Sequence, residues 1–154
     1  MIDKNIPIKT EDSASLILDL IYQLKIKDVM SRNLVVACAQ DTLHHIKTLM
    51  KQRNVTGIPI VKKDRLLGIL SIDDIFKALD NGYMDEPVEK HMSKKLVILE
   101  EDMPLAFAIS YFDKFKYGRF PVVDKDNLLV GMITSRDINV GLLMAINKEV
   151  SRME

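Results

Sequence analysis

The stretch Gly57-Ile58-Pro59-Ile60-Val61-Lys62-Lys63-Asp64-Arg65-Leu66-Leu67-Gly68-Ile69-Leu70-Ser71-Ile72-Asp73-Asp74-Ile75 decides the fold. It reads as an apolar strand, Gly57–Val61, a polar turn, Lys62–Arg65, and a second apolar strand, Leu66–Leu70, that pairs back as a hairpin. Ser71 then opens a helix, with Asp73 and Asp74 in its first turn, where the helix dipole favours negative charge. The chain repeats this stretch. Arg119-Phe120-Pro121-Val122-Val123 returns the first strand motif, Asp126-Asn127-Leu128-Leu129-Val130-Gly131 the turn and hairpin, and Thr134-Ser135-Arg136-Asp137-Ile138 the helix start, which predicts strands over Phe120–Val123 and Leu128–Ile133 joined by a turn at Asp124–Asn127. The offset is 62 (92 − 30) and becomes 63 (131 − 68) after one extra residue, taken as Val130. Matched prolines, glycines and aspartates over such a length imply two copies of one supersecondary unit.

Working outward, Met30-Ser31 returns as Met92-Ser93, and Leu34-Val35-Val36 as Leu96-Val97-Ile98. Leu34–Ala37 and Leu96–Leu99 are predicted strands. A helix over Thr42–Arg53, capped near Asp41, follows the first, and a helix over Pro104–Phe115 follows the second, with Pro104 in the first turn, where its missing N–H costs nothing. The hairpin-following helices are predicted at Ser71–Leu79, stopped by Asp80-Asn81-Gly82, and at Ser135–Ala145, with no stop signal through the tail to Glu154. Ahead of both copies, Leu16, Ile17, Leu20, Ile21 and Leu24 recur at helical spacing, with Asp12 or Ser13 able to cap. The expected organisation is an N-terminal helix and linker (1–25), repeat one (26–82), repeat two (83–145) and a helical tail (146–154).

The 154 residues suffice for one domain or two small halves sharing a core. Apolar residues make up 47% and charged residues 29%, and 22 basic residues balance 22 acidic ones. Zero formal charge argues against a general nucleic-acid or anionic-membrane binder, while a local cationic pocket remains compatible with it. No apolar run approaches a membrane span, and Met1-Ile2-Asp3-Lys4-Asn5 lacks a signal peptide's apolar core. The single Cys38 has no internal disulfide partner, so a reducing cytoplasm is the expected setting and Cys38 the expected small packing residue.

The ordered motifs resemble the cystathionine-β-synthase (CBS) domain family, and the pair resembles a Bateman module. The Gly57–Val61 and Arg119–Asp124 strand motifs, the Gly68–Ile75 and Gly131–Ile138 hairpin-to-helix motifs and the Asp28-Val29-Met30-Ser31 lead-in carry the resemblance across nearly all of Ile26–Leu143. It implies an α/β fold of tandem β-α-β-β-α repeats packed about a pseudo-twofold axis, with the N-terminal helix as an addition. It also implies adenosine-containing ligands in the clefts between repeats, a regulatory role without chemistry of its own, and homodimers of CBS pairs with a fused or associated effector.

The residues fit such a ligand: a carboxylate suits a ribose diol, and hydroxyls, cations or helix-start N–H groups suit phosphates. Ser71 with Asp74, and Thr134 with Asp137, stand three residues apart at a strand-to-helix junction. This is also an ordinary capping arrangement, and capping and ligand contact can coexist. By resemblance, one cleft combines Thr134, Arg136 and Asp137 with Asn33, Val35, Val55, Thr56, Gly57, Ile58 and Pro59. The other combines Ser71 and Asp74 with Leu96, Val97, Tyr117, Gly118, Arg119, Phe120 and Pro121. Asp137 and Asp74 would hold ribose, and Val35 with Ile58, or Val97 with Phe120, would sandwich the base. Arg136 would favour phosphate in the Asp137 cleft, Asp73 would oppose it in the other, and Arg119 would compensate there, so the Asp137 cleft is the expected tighter site and the Asp74 cleft the weaker, empty or differently selective one. The expected ligand is AMP, ADP or ATP, acting as a regulator and not as a catalytic cofactor. The helix Ser13–Leu24 and the tail after Gly141 would carry the signal out. A ligand-free dimerisation scaffold, or a pocket for S-adenosylmethionine, a dinucleotide or a nucleic-acid segment, are the alternatives.

Other signals carry little. His44 and His45 are adjacent on a helix and diverge, and His91 stands in a linker, so no metal-ligand spacing is present. No nucleophile elbow, Walker loop or G-x-G-x-x-G run points to hydrolysis or nucleotide turnover. The 9 methionines suit adaptable packing, and Lys94-Lys95 are expected to be solvated, within reach of screening a phosphate.

Overall fold

A computed structural model describes residues 10–154, with side chains from residue 14 onward. The start Met1–Asn5 therefore lies outside the described residues. The helices are α1 (Thr10–Gln23), α2 (Ile26–Val29), α3 (Leu43–Arg53), α4 (Ile72–Asn81), α5 (Leu105–Phe115) and α6 (Ser135–Met153). The strands are β1 (Gly57–Lys62), β2 (Arg65–Ser71), β3 (Leu99–Glu100), β4 (Arg119–Val123) and β5 (Leu129–Thr134). A 3-10 turn, Val88–Lys90, lies between α4 and β3 in sequence. The fold is the mixed α/β architecture with an added N-terminal helix. No helix among the described residues is long and apolar enough to cross a membrane.

The hairpins form where the pattern placed them. β1 pairs antiparallel with β2, and β4 with β5, each with a bulge at the matching point, Ile60/Val61 and Val122/Val123. The turns differ. Lys63 and Asp64 both adopt positive φ (49° and 63°), the two-residue form that suits a hairpin's twist. In the second copy the turn is one residue longer and ends in Asn127 at φ 63°, with the Asp124 carboxylate accepting from the backbone N–H of Asp126 and Leu128. The extra residue therefore sits in this turn and not at Val130: Leu66 already pairs as Leu129 does, opposite Val61 and Val123.

The predicted strands Leu34–Ala37 and Leu96–Leu99 are largely not strands. In the first only Ala37 bridges, in parallel with Ile60; in the second only Leu99–Glu100 pairs, with Val122 and Val123. The cause is where their other ends are anchored. Ser31 exchanges both backbone hydrogen bonds with Met132 of the second hairpin, and Ser93 exchanges both with Ile69 of the first. Each run thus leaves one sheet and joins the other, crossing the gap between them over roughly 20 Å if extended.

The crossing also exchanges core residues. Ile26 and Met30 are buried with Leu99, Leu105, Phe120, Val122, Ile133 and Ile138 of the second half. Val88 and Met84 are buried with Leu43, Ile46, Ile58, Ile60, Leu70 and Ile75 of the first. Backbone bonds follow the same rule. Leu105 N–H donates to the Leu24 carbonyl (2.7 Å), and Leu43 N–H to the Glu86 carbonyl (3.1 Å), so each leading segment ties down a helix start in the other half. These reciprocal links are the pseudo-twofold relation in atomic form. They also require Gly68 and Gly131: a Cβ at Gly68 would fall 2.6 Å from the Met92 sulfur and 2.8 Å from the Ser93 carbonyl oxygen, and one at Gly131 on the Met30 sulfur.

Helix starts and stops correct several details. Thr42, not Asp41, caps α3, accepting from His45 N–H at 3.2 Å, while Asp41 accepts from Cys38 N–H in the preceding turn. Pro104 is the residue before α5 and not inside it. α1 starts at Thr10, so Asp12 and Ser13 fall within the helix, and their side chains lie outside the described residues. Gly82, at φ 74°, ends α4, whereas α6 runs unbroken to Met153 and packs with α5 against α1. Cys38 is exposed, so it is not a packing residue; its segment turns outward between two buried alanines, Ala37 and Ala39.

Candidate functional site: two clefts between the repeats

Ser71 and Thr134 end their strands in extended conformation, and each caps the following helix. Asp74 N–H donates to Ser71 Oγ (3.3 Å) and Asp137 N–H to Thr134 Oγ1 (3.2 Å). The aspartates reciprocate: Asp74 Oδ2 accepts from Ser71 N–H and Oγ–H, both at 2.8 Å, and Asp137 Oδ2 accepts from Thr134 N–H at 2.8 Å. Both are full capping boxes. Capping thus consumes one oxygen of each carboxylate and leaves Oδ1, with its two lone pairs, for another donor. Both aspartates are half-buried at a helix N-terminus, fixed in orientation before any ligand arrives.

Each carboxylate faces a cleft whose other wall comes from the opposite half. Asp74 and Ser71 line a cavity of about 310 Å³ with Leu96, Val97, Tyr117, Gly118, Arg119 and Pro121. Asp137 and Thr134 line one of about 230 Å³ with Asn33, Val35, Val55, Gly57 and Pro59. Small-ligand sites start near 300 Å³, so the Asp74 cleft has the room of a ligand site as it stands and the Asp137 cleft is narrower.

Four expected residues stand elsewhere. Ile58 and Phe120 are fully buried in their own cores, and neither lines a cleft. Strand alternation explains this: Gly57 and Pro59, like Arg119 and Pro121, face the clefts, and the residues between them must face away. Phe120 instead packs edge-on against Phe112, with ring centres 4.7 Å apart. Arg136 is exposed and outside the Asp137 cleft lining, as Asp73 is outside the other, because both follow the capping residue on the solvent side of the first turn. Thr56 lines the Asp74 cleft and not the Asp137 cleft.

The clefts also contain residues the sequence reading did not assign. Ser93, Ile69 and Lys95 line the Asp74 cleft; Ser31, Leu34 and Met132 line the other. The signal was present in the repeat itself: Ser31 matches Ser93, and Ile69 matches Met132. Lys95 is exposed, as expected, and also lines this cleft. Its counterpart 62 residues earlier (95 − 62) is Asn33.

Arg119 is the electrostatic centre. Its guanidinium donates to Thr56 Oγ1 and, at 3.5 Å, to the Gly57 carbonyl. Burial pushes its pKa down from the ordinary guanidinium value, while an arginine stays protonated at neutral pH. Among the described residues, no group of three or more His, Cys, Asp or Glu side chains could hold a metal. His91 Nε2 lies 2.7 Å from Glu86 Oε2 and serves that contact.

Comparison with known proteins agrees with this architecture. The CBS domain model matches residues 26–81 and again 88–142, so the chain belongs to the CBS domain family, as a pair of repeats. It is 30% identical over 115 residues to inosine-5'-monophosphate dehydrogenase of Methanocaldococcus jannaschii, covering 74% of this chain and 23% of that protein. An uncharacterised protein of the same organism is 30% identical over 118 residues, covering 77% of this chain and 39% of its own length. The chain thus spans well under half of these curated relatives. Among solved structures, the CBS domain pair of protein MJ0100, in complex with 5'-methylthioadenosine and S-adenosyl-L-methionine, superposes with TM-score 0.68 at 27% identity, covering 75% of this chain and 93% of that one. A Vibrio cholerae protein assigned to acetoin utilization superposes with TM-score 0.71 at 30% identity, over 85% and 98%.

Proposed function

We propose that this chain is a regulatory sensor that binds an adenosine-containing ligand between its repeats and passes the change to a fused or associated effector. One observation carries the reading: each cleft joins a pre-oriented carboxylate from one half to apolar walls from the other. A ligand there touches both halves at once, so binding couples to their relative placement. A shift of that kind requires unequal affinity for two arrangements, which a bridging site can provide. The MJ0100 pair, whose complex contains two adenosyl compounds, supports the ligand class.

Asp74 and Asp137 hold the ribose diol through Oδ1. The flat apolar slot for the base is Val97 with Tyr117 and Pro121 in one cleft, and Val35 with Val55 and Pro59 in the other. The charged tail of AMP, ADP or ATP meets Lys95 and Arg119 in the Asp74 cleft, which therefore ranks first for an anionic adenylate. S-adenosylmethionine and methylthioadenosine form the second reading, on the strength of the MJ0100 complex. The module performs no chemistry itself, works in the cytoplasm as a homodimer, and signals through α1 and α6. Gly141 of α6 supports that output: a Cβ there would fall on a Val29 methyl carbon, so α6 lies directly on the segment leading into the first half.

Thermal unfolding with AMP, ADP, ATP, S-adenosylmethionine or methylthioadenosine tests the reading. A ligand at 100 times its Kd stabilises by about 2.7 kcal/mol, roughly 5–10 °C in a domain of this size. The expected result is a concentration-dependent rise with at least one adenylate. No rise with any of the five at millimolar concentration excludes the sensor reading and favours a ligand-free scaffold.

A further inference from the structure

We infer that Arg119 is a single cation shared by the two clefts, so that an anionic ligand in one weakens the binding of an anionic ligand in the other. The inference rests on the nucleotide reading above and adds regulation to it. Of all the lining residues, only Gly57 and Arg119 belong to both cavities. They occupy equivalent positions in the two halves, 62 apart (119 − 57). Perfect duplication would give each cleft its own side chain there. Instead one half has an arginine and the other has no side chain, and the arginine lies across the glycine. A Cβ at Gly57 would come within 3.1 Å of Arg119 Nε and 3.3 Å of Cζ. The guanidinium thus forms the partition between the clefts.

Its restraints are weak enough to yield. Its partners are a hydroxyl and a carbonyl, both neutral, and Thr56 is exposed. A phosphate offers a charge-assisted, forked contact that is stronger than either. A guanidinium drawn into such a fork turns toward that phosphate and spends its single positive charge there, so a phosphate in the other cleft meets a cation already neutralised. The clefts do not feel the loss equally. Arg119 is the one cation lining the Asp137 cleft among the described residues, whereas the Asp74 cleft also has Lys95. An AMP held by Asp74, Lys95 and Arg119 therefore leaves Asp137 facing a phosphate without a counter-charge. Adenosine, which lacks the phosphate, makes no demand on Arg119 and binds the two clefts independently.

Site-resolved NMR titration of the full chain tests this, with Gly118 reporting the Asp74 cleft and Asn33 the other. AMP affinity at Asn33 is compared in wild-type protein, with the Asp74 cleft filled, and in Asp74→Ala protein, with that cleft disabled. The expected result is at least about fivefold tighter AMP binding at Asn33 in Asp74→Ala, the low end of ordinary site-to-site coupling. Adenosine is expected to show no such difference, and neither is AMP in an Arg119→Leu background. Equal AMP affinity at Asn33 in wild-type and Asp74→Ala proteins overturns the shared-cation inference while leaving the nucleotide sites intact. Tightening with adenosine as well as AMP also overturns it, since the coupling would then not pass through charge. Absence of AMP shifts at both reporters in wild-type protein removes the nucleotide reading itself.

Discussion

The two halves share a backbone plan down to the bulge in each hairpin, yet they differ in how tightly the plan is filled. The first half closes its hairpin with two residues and ends its last helix at Gly82; the second uses a longer turn and lets α6 run to Met153. The first contributes Gly57, Val55 and Asn33 to the clefts where the second contributes Arg119, Tyr117 and Lys95. Duplication preserved the parts that fix geometry, namely the capping boxes, the cleft prolines and the close-approach glycines. It left free the side chains that set charge and volume. The lesson is that fold symmetry here predicts where a ligand sits and not how strongly it binds.

The comparison breaks most visibly at the exchanged core residues. Ile26 precedes the first hairpin in sequence but is buried in the second half. Ile26→Ala is expected to cost about 2–5 kcal/mol in urea unfolding, as truncation of a fully buried isoleucine does. The loss of amide hydrogen-exchange protection should concentrate in β4 and β5. Concentration of that loss in β1 and β2 instead would show that the halves are not interlocked as described.

A smaller effect separates the two close-approach glycines. Gly68→Ala meets a backbone carbonyl, that of Ser93, at 2.8 Å, whereas the three atoms nearest to a Cβ at Gly131 all belong to the side chain of Met30. Overpacking that moves backbone belongs at the upper part of the usual range of about 1–3 kcal/mol, and overpacking that displaces a methionine belongs at the lower part. Urea midpoints should therefore order wild type above Gly131→Ala above Gly68→Ala. The reverse order of the two variants would mean that the second junction is the stiffer one.

The smallest effect concerns an ion pair found in one half alone. Lys27 Nζ lies 2.8 Å from Asp102 Oδ1, while the matching positions hold Glu89 and Gln40. The hydrogen bond from Lys27, and then its charge, hold the Asp102 carboxyl below its ordinary value; the same contact raises Lys27. A depressed carboxyl contributes stability above its unfolded value and loses it as pH falls through the folded one. A raised ammonium contributes below its unfolded value and loses it as pH rises through the folded one. Asp102→Asn should thus destabilise slightly at neutral pH and low salt, with the difference vanishing in strong acid, in strong alkali and at high ionic strength. A deficit that persists in strong acid would assign the effect to packing.

Much of this molecule was legible from its residues because the signals are local. Pro59 and Pro121, Gly82, and the Ser71 and Thr134 junctions announce strands, stops and caps within a few positions of themselves. The two-residue period of a strand also puts Ile58 and Phe120 on the face opposite Gly57, Pro59, Arg119 and Pro121, so their burial was legible too. The runs after Ser31 and Ser93 were not legible, because an apolar segment looks the same whether it pairs along its length or only at its ends. The destinations of Ile26 and Val88 were hidden for the same reason: nothing near them in sequence says which core they enter. The shared position of Arg119 needed both halves in space at once.

The exchange of leading segments also bears on assembly. A single repeat standing alone would have a gap where its neighbour's isoleucine or valine belongs, and a loose end with nowhere to insert. Its simplest remedy is a second copy offering the same end in return. The smallest self-sufficient assembly of one such repeat is therefore a pair of identical polypeptides, each closing the other's core with its own end.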